Sequence, residues 1–168
     1  MYSILLVDDE PNILSALRRS IVFGRATNDE RPIVVECFTS ARAALQRLEE
    51  QDFDLVISDY RMPQMDGVEF LRRAIEIDPA SQRMLMSACA DRETIVSAIN
   101  DAHIARFLDK PWDEDQLREL IDDVLRSRHE GDIASTNPAE VRMEAECPGI
   151  THVDRADDGG IILPDSES

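Results

Sequence analysis

Lysine is almost missing from this sequence: 17 of its 18 basic residues are arginine, and the exception is Lys110. An ammonium point charge and a planar guanidinium are not interchangeable, so a solitary lysine marks either a chemical need or a lapse in a compositional habit; its position must decide. Cysteine is scarce as well. Cys37, Cys89 and Cys147 are odd in number and far apart, with no CxxC pair and no histidine cluster. That argues against a disulfide framework or a zinc site and reads as reduced thiols in a cytoplasmic protein. Positive surface is lacking too. With 35 acidic residues and a net charge of −17, the chain is unlike proteins that hold phosphate backbones, and direct nucleic-acid binding is not expected. Long apolar runs are absent: none approaches the ~20 residues of a membrane span, and the N-terminus lacks the basic-then-apolar order of a signal peptide. Neither membrane insertion nor processing is expected.

What is present is regular. The 168 residues leave room for one domain of about 100 to 150 residues and an appendage, not for a second output domain. Short β-branched runs at Ser3 to Val7, Ile33 to Phe38, Leu55 to Ser58, Met84 to Ser87 and Arg106 to Leu108 read as strands buried on both faces. Helical stripes alternate with them: Ile13, Leu14, Leu17 and Ile21; Ala41, Ala44, Leu45 and Leu48; Val68, Leu71 and Ile75; Ile95, Val96 and Ile99; Leu117, Leu120, Ile121 and Val124. Five strands and five helices in alternation predict a doubly wound α/β domain over residues 1 to 126, a (βα)5 parallel sheet. Pro11 suits a first helical turn, Thr39 and Ser40 suit a cap, and Asp66-Gly67 opens the third helix. Pro79 ends that helix, and the polar stretch from Gly24 to Pro32 predicts an exposed loop.

Beyond Arg126 the pattern changes. Residues 127 to 148 have the polar, acidic composition of a linker. In the tail, residues 149 to 168, Ile150 to Val153 and Ile161 to Leu163 flank Asp157-Asp158-Gly159-Gly160, an arrangement able to form a β-hairpin that would need something to lie against.

In a parallel α/β sheet, functional groups gather at the carboxyl ends of the strands. Here those ends carry Asp8-Asp9, Asp59, Ser87 and Asp109-Lys110-Pro111. The carboxylates of Asp8, Asp9 and Asp59, packed on one edge, stay ionised most easily around a hard cation such as magnesium. With Asp59 as nucleophile, the metal would bridge it to an incoming phosphoryl group, Lys110 would pair with the phosphate oxygens, and Ser87 would donate a hydrogen bond. Position thus favours the chemical reading of the lone lysine. Taken singly, each residue also has a plain role as a loop acid or strand terminus.

Leu5-Leu6-Val7-Asp8-Asp9-Glu10-Pro11, Asp59-Tyr60-Arg61-Met62-Pro63-Gln64-Met65-Asp66-Gly67, Ser87-Ala88 and Lys110-Pro111, in this order and at these separations, resemble the bacterial two-component response-regulator receiver family over residues 1 to about 126. The resemblance implies a flavodoxin-like, CheY-like sheet of order 2-1-3-4-5. It implies Asp59 as phosphoacceptor, magnesium held by Asp8, Asp9, Asp59 and the backbone carbonyl of Arg61, Lys110 as phosphate-pairing amine, and Ser87 with Phe107 as the switch pair. It places Arg61 and Cys89 where the family tunes dephosphorylation, and implies a cis peptide before Pro111. The strings around Arg61 and at Lys110-Pro111-Trp112 are similar to receivers of cyclic-di-GMP phosphodiesterase-linked and hydrogenase-type regulators. One departure stands out: Ala102-His103 occupies a turn where the family usually has glycine, and a left-handed alanine there would cost on the order of 1 kcal/mol.

The implied function is a stand-alone receiver fed by a sensor histidine kinase or a histidine phosphotransfer protein. It would signal to a downstream protein through phosphorylation-dependent contacts, with room for a phosphorylation-dependent dimer, and its only chemistry would be self-phosphorylation and autodephosphorylation, not turnover of a substrate. A phosphorylation-independent pseudo-receiver is the alternative, although every catalytic position is filled. A haloacid-dehalogenase-like phosphatase would use Asp8 as nucleophile, but Glu10 replaces the usual second aspartate and Asp59 would have no role. Asp154, Asp158 and Gly159 resemble a calcium loop only loosely, because Ala156 fills a ligand place and no closing glutamate follows. The tail is expected to act as an interaction strand on a sheet edge, its own or a partner's.

Overall fold

The structure is a computed structural model, described here for residues 1–23, 31–88, 102–130, 154–155 and 161–162. Its elements are β1 (Tyr2–Val7), α1 (Pro11–Phe23), β2 (Ile33–Phe38), α2 (Ala41–Glu50), β3 (Leu55–Asp59), α3 (Gly67–Ile77), β4 (Gln82–Ser87), β5 (Arg106–Asp109), α4 (Glu114–Glu130), β6 (Asp154–Arg155) and β7 (Ile161–Ile162). The first five strands form one parallel sheet in the order β2-β1-β3-β4-β5, the doubly wound arrangement expected. The stripe at Ile95, Val96 and Ile99 and most of the Gly24 to Pro32 loop lie outside the described residues. So do Cys89 and Cys147.

Strand periodicity divides the core in two. Leu5, Val7, Val56 and Leu85 point to one face, where they meet Ala44 and Leu48 of α2 and Phe70, Leu71 and Ala74 of α3. Their neighbours Ile4, Leu6, Ile57, Met84 and Met86 point to the other, against Leu14 and Leu17 of α1 and Leu117, Leu120 and Ile121 of α4. Alternate side chains on opposite faces, both covered, are why these strands are continuous apolar runs. The caps form where the sequence places them: Ser40 Oγ accepts from the Ala43 amide at 3.3 Å, and Asp66 Oδ1 accepts from the Glu69 amide at 2.8 Å.

Several boundaries differ from the sequence reading, among them the ends of β3 and β5, which run one residue further, to Asp59 and Asp109. β1 and β4 each begin earlier, at Tyr2 and Gln82, because backbone pairing extends past the apolar run. The last helix continues to Glu130 rather than stopping at Arg126. The residue responsible is polar, so hydrophobic periodicity could not register it: Arg128 Nη1 donates to the Phe53 carbonyl at 2.8 Å and to Asp54 Oδ1 at 2.7 Å. In the tail, β6 and β7 pair antiparallel, Asp154 with Ile162 and Arg155 with Ile161, so the first strand sits nearer the turn than the run from Ile150 to Val153. The turn, Asp157 to Gly160, lies outside the described residues. The hairpin is a separate two-stranded sheet and does not extend the five-stranded one.

Candidate functional site

Every residue of the proposed constellation that is described sits at the carboxyl edge of the sheet. Asp8 follows β1 directly, its amide donating to the Phe38 carbonyl at 3.1 Å. Asp59 is the last residue of β3. Ser87 ends β4 beside Asp109, which ends β5, and the Lys110 amide donates to the Ser87 carbonyl at 3.1 Å. The Lys110-Pro111 peptide is cis. Arg61, exposed, lies two residues past Asp59 in the loop on the same edge.

Three carboxylates converge there. Oxygens of Asp8, Asp9 and Asp59 lie within 4.8 Å of one another. Asp8 is fully buried and Asp59 is 6% exposed, whereas Asp9 faces solvent. Lys110 Nζ bridges the buried pair, 2.8 Å from Asp8 Oδ2 and 2.8 Å from Asp59 Oδ1. Asp8 is oriented from its other oxygen, where Oδ1 accepts the Glu10 amide at 2.9 Å.

The electrostatics leave this cluster short of positive charge. Burial pushes the Asp59 carboxyl above its ordinary value; the Lys110 hydrogen bond and charge pull it down, and Asp8 and Asp9 push it up again. Burial works to lower Lys110, but is outweighed by its hydrogen bonds to Asp59 and Asp8 and by their charges, and its ammonium is held above the usual value. One ammonium thus faces three carboxylates in a low-dielectric edge. Magnesium suits this donor set: all oxygen, close-spaced, half open to water through Asp9 and net negative. Asp8, Asp9 and Asp59 are the residues able to hold it.

Ser87 is 2% exposed and Phe107 4% exposed, Phe107 packing into the cluster with Leu85, Ala102 and Ile104. Phe107 therefore occupies an inward position, where its lack of a hydroxyl leaves no polar atom to satisfy. The turn that lacks glycine does keep a left-handed residue, and it is His103, with φ 45°, not Ala102. Arg83 supports that turn from beneath: its Nε donates to the carbonyls of Ala102 at 3.1 Å and His103 at 3.3 Å, and its Nη1 to Ser81. Burial lowers the Arg83 guanidinium from its ordinary value, countered by the charge of Asp78.

Two contributors went unrecognised in the sequence. Gly67 opens α3 so tightly against β3 that a Cβ there would overlap the Asp59 carbonyl oxygen and stand 2.8 Å from Leu85 Cδ1. Its position behind a capping aspartate signalled a helix start, but not that the backbone of Asp59 lies against it. Arg83 reads in sequence as a charge at a strand edge, and only the fold reveals it as buried.

The geometry agrees with comparisons to known proteins. Residues 4–122 match the family model described as response regulator receiver domain. The chain is 34% identical over 124 residues to the hydrogenase transcriptional regulatory protein HoxA of Bradyrhizobium diazoefficiens, covering 74% of this chain and 24% of that protein. It is 30% identical over 155 residues to the transcriptional regulatory protein ZraR of Escherichia coli, covering 89% of this chain and 33% of that one. It therefore spans about a quarter to a third of these curated relatives. Among solved structures, the signal receiver domain of an HD domain-containing protein from Pseudomonas fluorescens superposes with a TM-score of 0.69 at 34% identity, over 77% of this chain and 90% of that one. The matched span takes in four strands of the parallel sheet whole, β1 from Ile4 onward and the whole aspartate–lysine edge, and on these grounds the chain belongs to the response-regulator receiver family.

Proposed function

We propose that Asp59 accepts a phosphoryl group from a phosphohistidine of a sensor kinase or histidine phosphotransfer protein, and that the phosphorylated receiver signals through altered protein contacts. The observation that carries this is Lys110 Nζ at 2.8 Å from both Asp8 and Asp59, with the three carboxylates gathered around one point. In the transfer, an Asp59 carboxylate oxygen bonds to phosphorus as the phosphorus–nitrogen bond breaks, and the departing imidazole keeps the bond's electron pair and takes up a proton. When bound, magnesium would be held by Asp8, Asp9, Asp59 and the Arg61 carbonyl, and would supply Lewis-acid charge to the phosphoryl oxygens. Asp8 holds Lys110 in place through the transfer. Lys110 releases Asp59 and pairs with the phosphate, and Ser87 donates its hydroxyl to a phosphate oxygen. Phe107 fills the space that Ser87 leaves as it moves, and the surface around β5 shifts between two populations biased by the new dianion.

On this reading the protein is no turnover enzyme. Its chemistry is limited to phosphorylating itself from a donor and losing the group to water, at a rate tuned by the residues at Arg61 and Cys89, in the cytoplasm where such kinases present their phosphohistidines. The test is incubation with phosphoramidate and magnesium followed by mapping of the modified residue by mass spectrometry. One phosphoryl group on Asp59, lost in the Asp59→Asn variant, is the expected result. Modification at another residue, or none with Asp59 intact, sinks the proposal; sustained hydrolysis of a phosphomonoester would revive the phosphatase alternative.

A further inference from the structure

A groove of about 480 Å3 lies between the N-terminal end of α2 and the loop that joins β3 to α3. Its apolar wall is Leu45, Met62 and Met65, all partly exposed. Its rim carries Arg42 and Arg73, both exposed, and among the described residues no acidic one lines it. In a chain with nearly two acids for each base, that is a local reversal of charge. Arg73 also pairs with Glu69 at 2.6 Å, an exposed contact of small energetic weight that an incoming carboxylate can share or displace. The loop beneath is rigidly wound: Gln64 has φ 72°, the Met65 amide donates to the Pro63 carbonyl at 2.9 Å and the Gly67 amide to the Tyr60 carbonyl at 2.8 Å.

We propose that the β6–β7 hairpin of this same chain docks on this groove. Three observations select that occupant. Charge complementarity is the first: residues 149–168 hold five carboxylates, Asp154, Asp157, Asp158, Asp165 and Glu167, against the single Arg155, together with Ile150, Val153, Ile161, Ile162 and Leu163. An acidic, apolar segment meets a cationic rim around an apolar wall. Reach is the second. Arg128 fixes the end of α4 beside Phe53 and Asp54, at the amino edge of the sheet, and the groove lies at the carboxyl edge, one strand length or about 17 Å away. The nineteen residues 131–149 span up to about 60 Å when extended, which covers that distance and the detour around α2. The third is topology. A two-stranded hairpin is marginal in water, and among the described residues this one neither lengthens the five-stranded sheet nor has a third strand of its own. Docking into the groove gives it the support that edge pairing would otherwise provide.

The contact does not depend on phosphoryl transfer, so its test stands apart from the function proposed above. The 168-residue chain carrying 13C-methyl methionine reports the groove through Met62 and Met65 and the core through Met84 and Met86, which are fully buried in β4. The Ile161→Asp/Ile162→Asp variant should shift the Met62 and Met65 resonances and leave those of Met84 and Met86 in place, and a synthetic peptide of residues 149–168 should return them. Independently, the Arg42→Glu/Arg73→Glu variant should be cut by trypsin after Arg155 about tenfold faster than the native chain, because the open hairpin is the form cleaved. Unchanged Met62 and Met65 resonances, or equal cleavage at Arg155, would overturn the proposal. So would perturbation that fades on dilution, which would place a second copy in the groove, or amide protection gained along β2 instead, which would mean edge pairing.

Discussion

At the residue scale, the site is a charge imbalance, with the one ammonium of Lys110 beside the carboxylates of Asp8, Asp9 and Asp59. A carboxyl with a raised folded value favours the protonated form in the fold. Its contribution to stability is therefore fully present below the ordinary aspartate value of about 4 and is lost as pH rises through the raised Asp59 value. Asp59→Asn should thus stabilise the divalent-free protein at neutral pH, by about 1 kcal/mol, and the gap between variant and native chain should close as pH falls below 4. Thermal melts in chelator at several pH values measure this; a variant less stable at pH 7 would contradict the electrostatic account. Lys110→Met should act oppositely. It strips the half-buried ammonium that pairs with Asp8 and Asp59 and should cost about 3 kcal/mol, a loss that magnesium partly restores. Gly67→Ala is a steric matter and insensitive to both pH and metal. The added methyl group meets the backbone of Asp59, and overpacking of this kind costs about 3 kcal/mol, read as a lowered denaturation midpoint.

At the element scale, β4 carries a device at each end. Ser87 stands at the carboxyl end near the acidic cluster, while Arg83, 6% exposed, stands near the amino end and ties the turn before β5 to the sheet. Replacing Arg83 by Met leaves the Ala102 and His103 carbonyls without those hydrogen bonds in a buried setting and removes the prop beneath a left-handed histidine. The expected loss is about 2 kcal/mol, concentrated as faster amide exchange at Ile104 to Phe107. These elements also mark how far the sequence can be read. The five strands were legible because both faces of each are buried, and the edge chemistry was legible because parallel strands all end on one side. Helix ends held by polar anchors were not. Nothing in the periodicity of α4 announces that Arg128 reaches across to Phe53 and Asp54, and nothing local to Arg83 announces its burial. The left-handed turn was anticipated, but its residue could be placed on His103 only from backbone geometry.

For the whole molecule, a net charge of −17 sets a background that any metal effect must be separated from. Self-repulsion destabilises a compact acidic chain, and monovalent salt screens it, since the Debye length falls from about 30 Å at 0.01 M to about 10 Å at 0.1 M. Added sodium chloride should raise the melting temperature of the native protein and of Asp59→Asn alike, because that variant removes one charge of many. Magnesium at constant ionic strength should behave differently. A ligand at a hundred times its dissociation constant adds about 2.7 kcal/mol to a folded state that binds it specifically, and this increment should appear in the native protein and shrink sharply when Asp8 or Asp59 is neutralised. If magnesium raised the melting temperature equally in all three proteins, the diffuse charge of the surface would be the cause. The convergence of Asp8, Asp9 and Asp59 would then be an acidic cluster and no metal site. A difference confined to the variants of the sheet edge would instead tie the metal to Asp8 and Asp59, the two carboxylates that Lys110 already bridges, linking the stability of the fold to the state of Asp59.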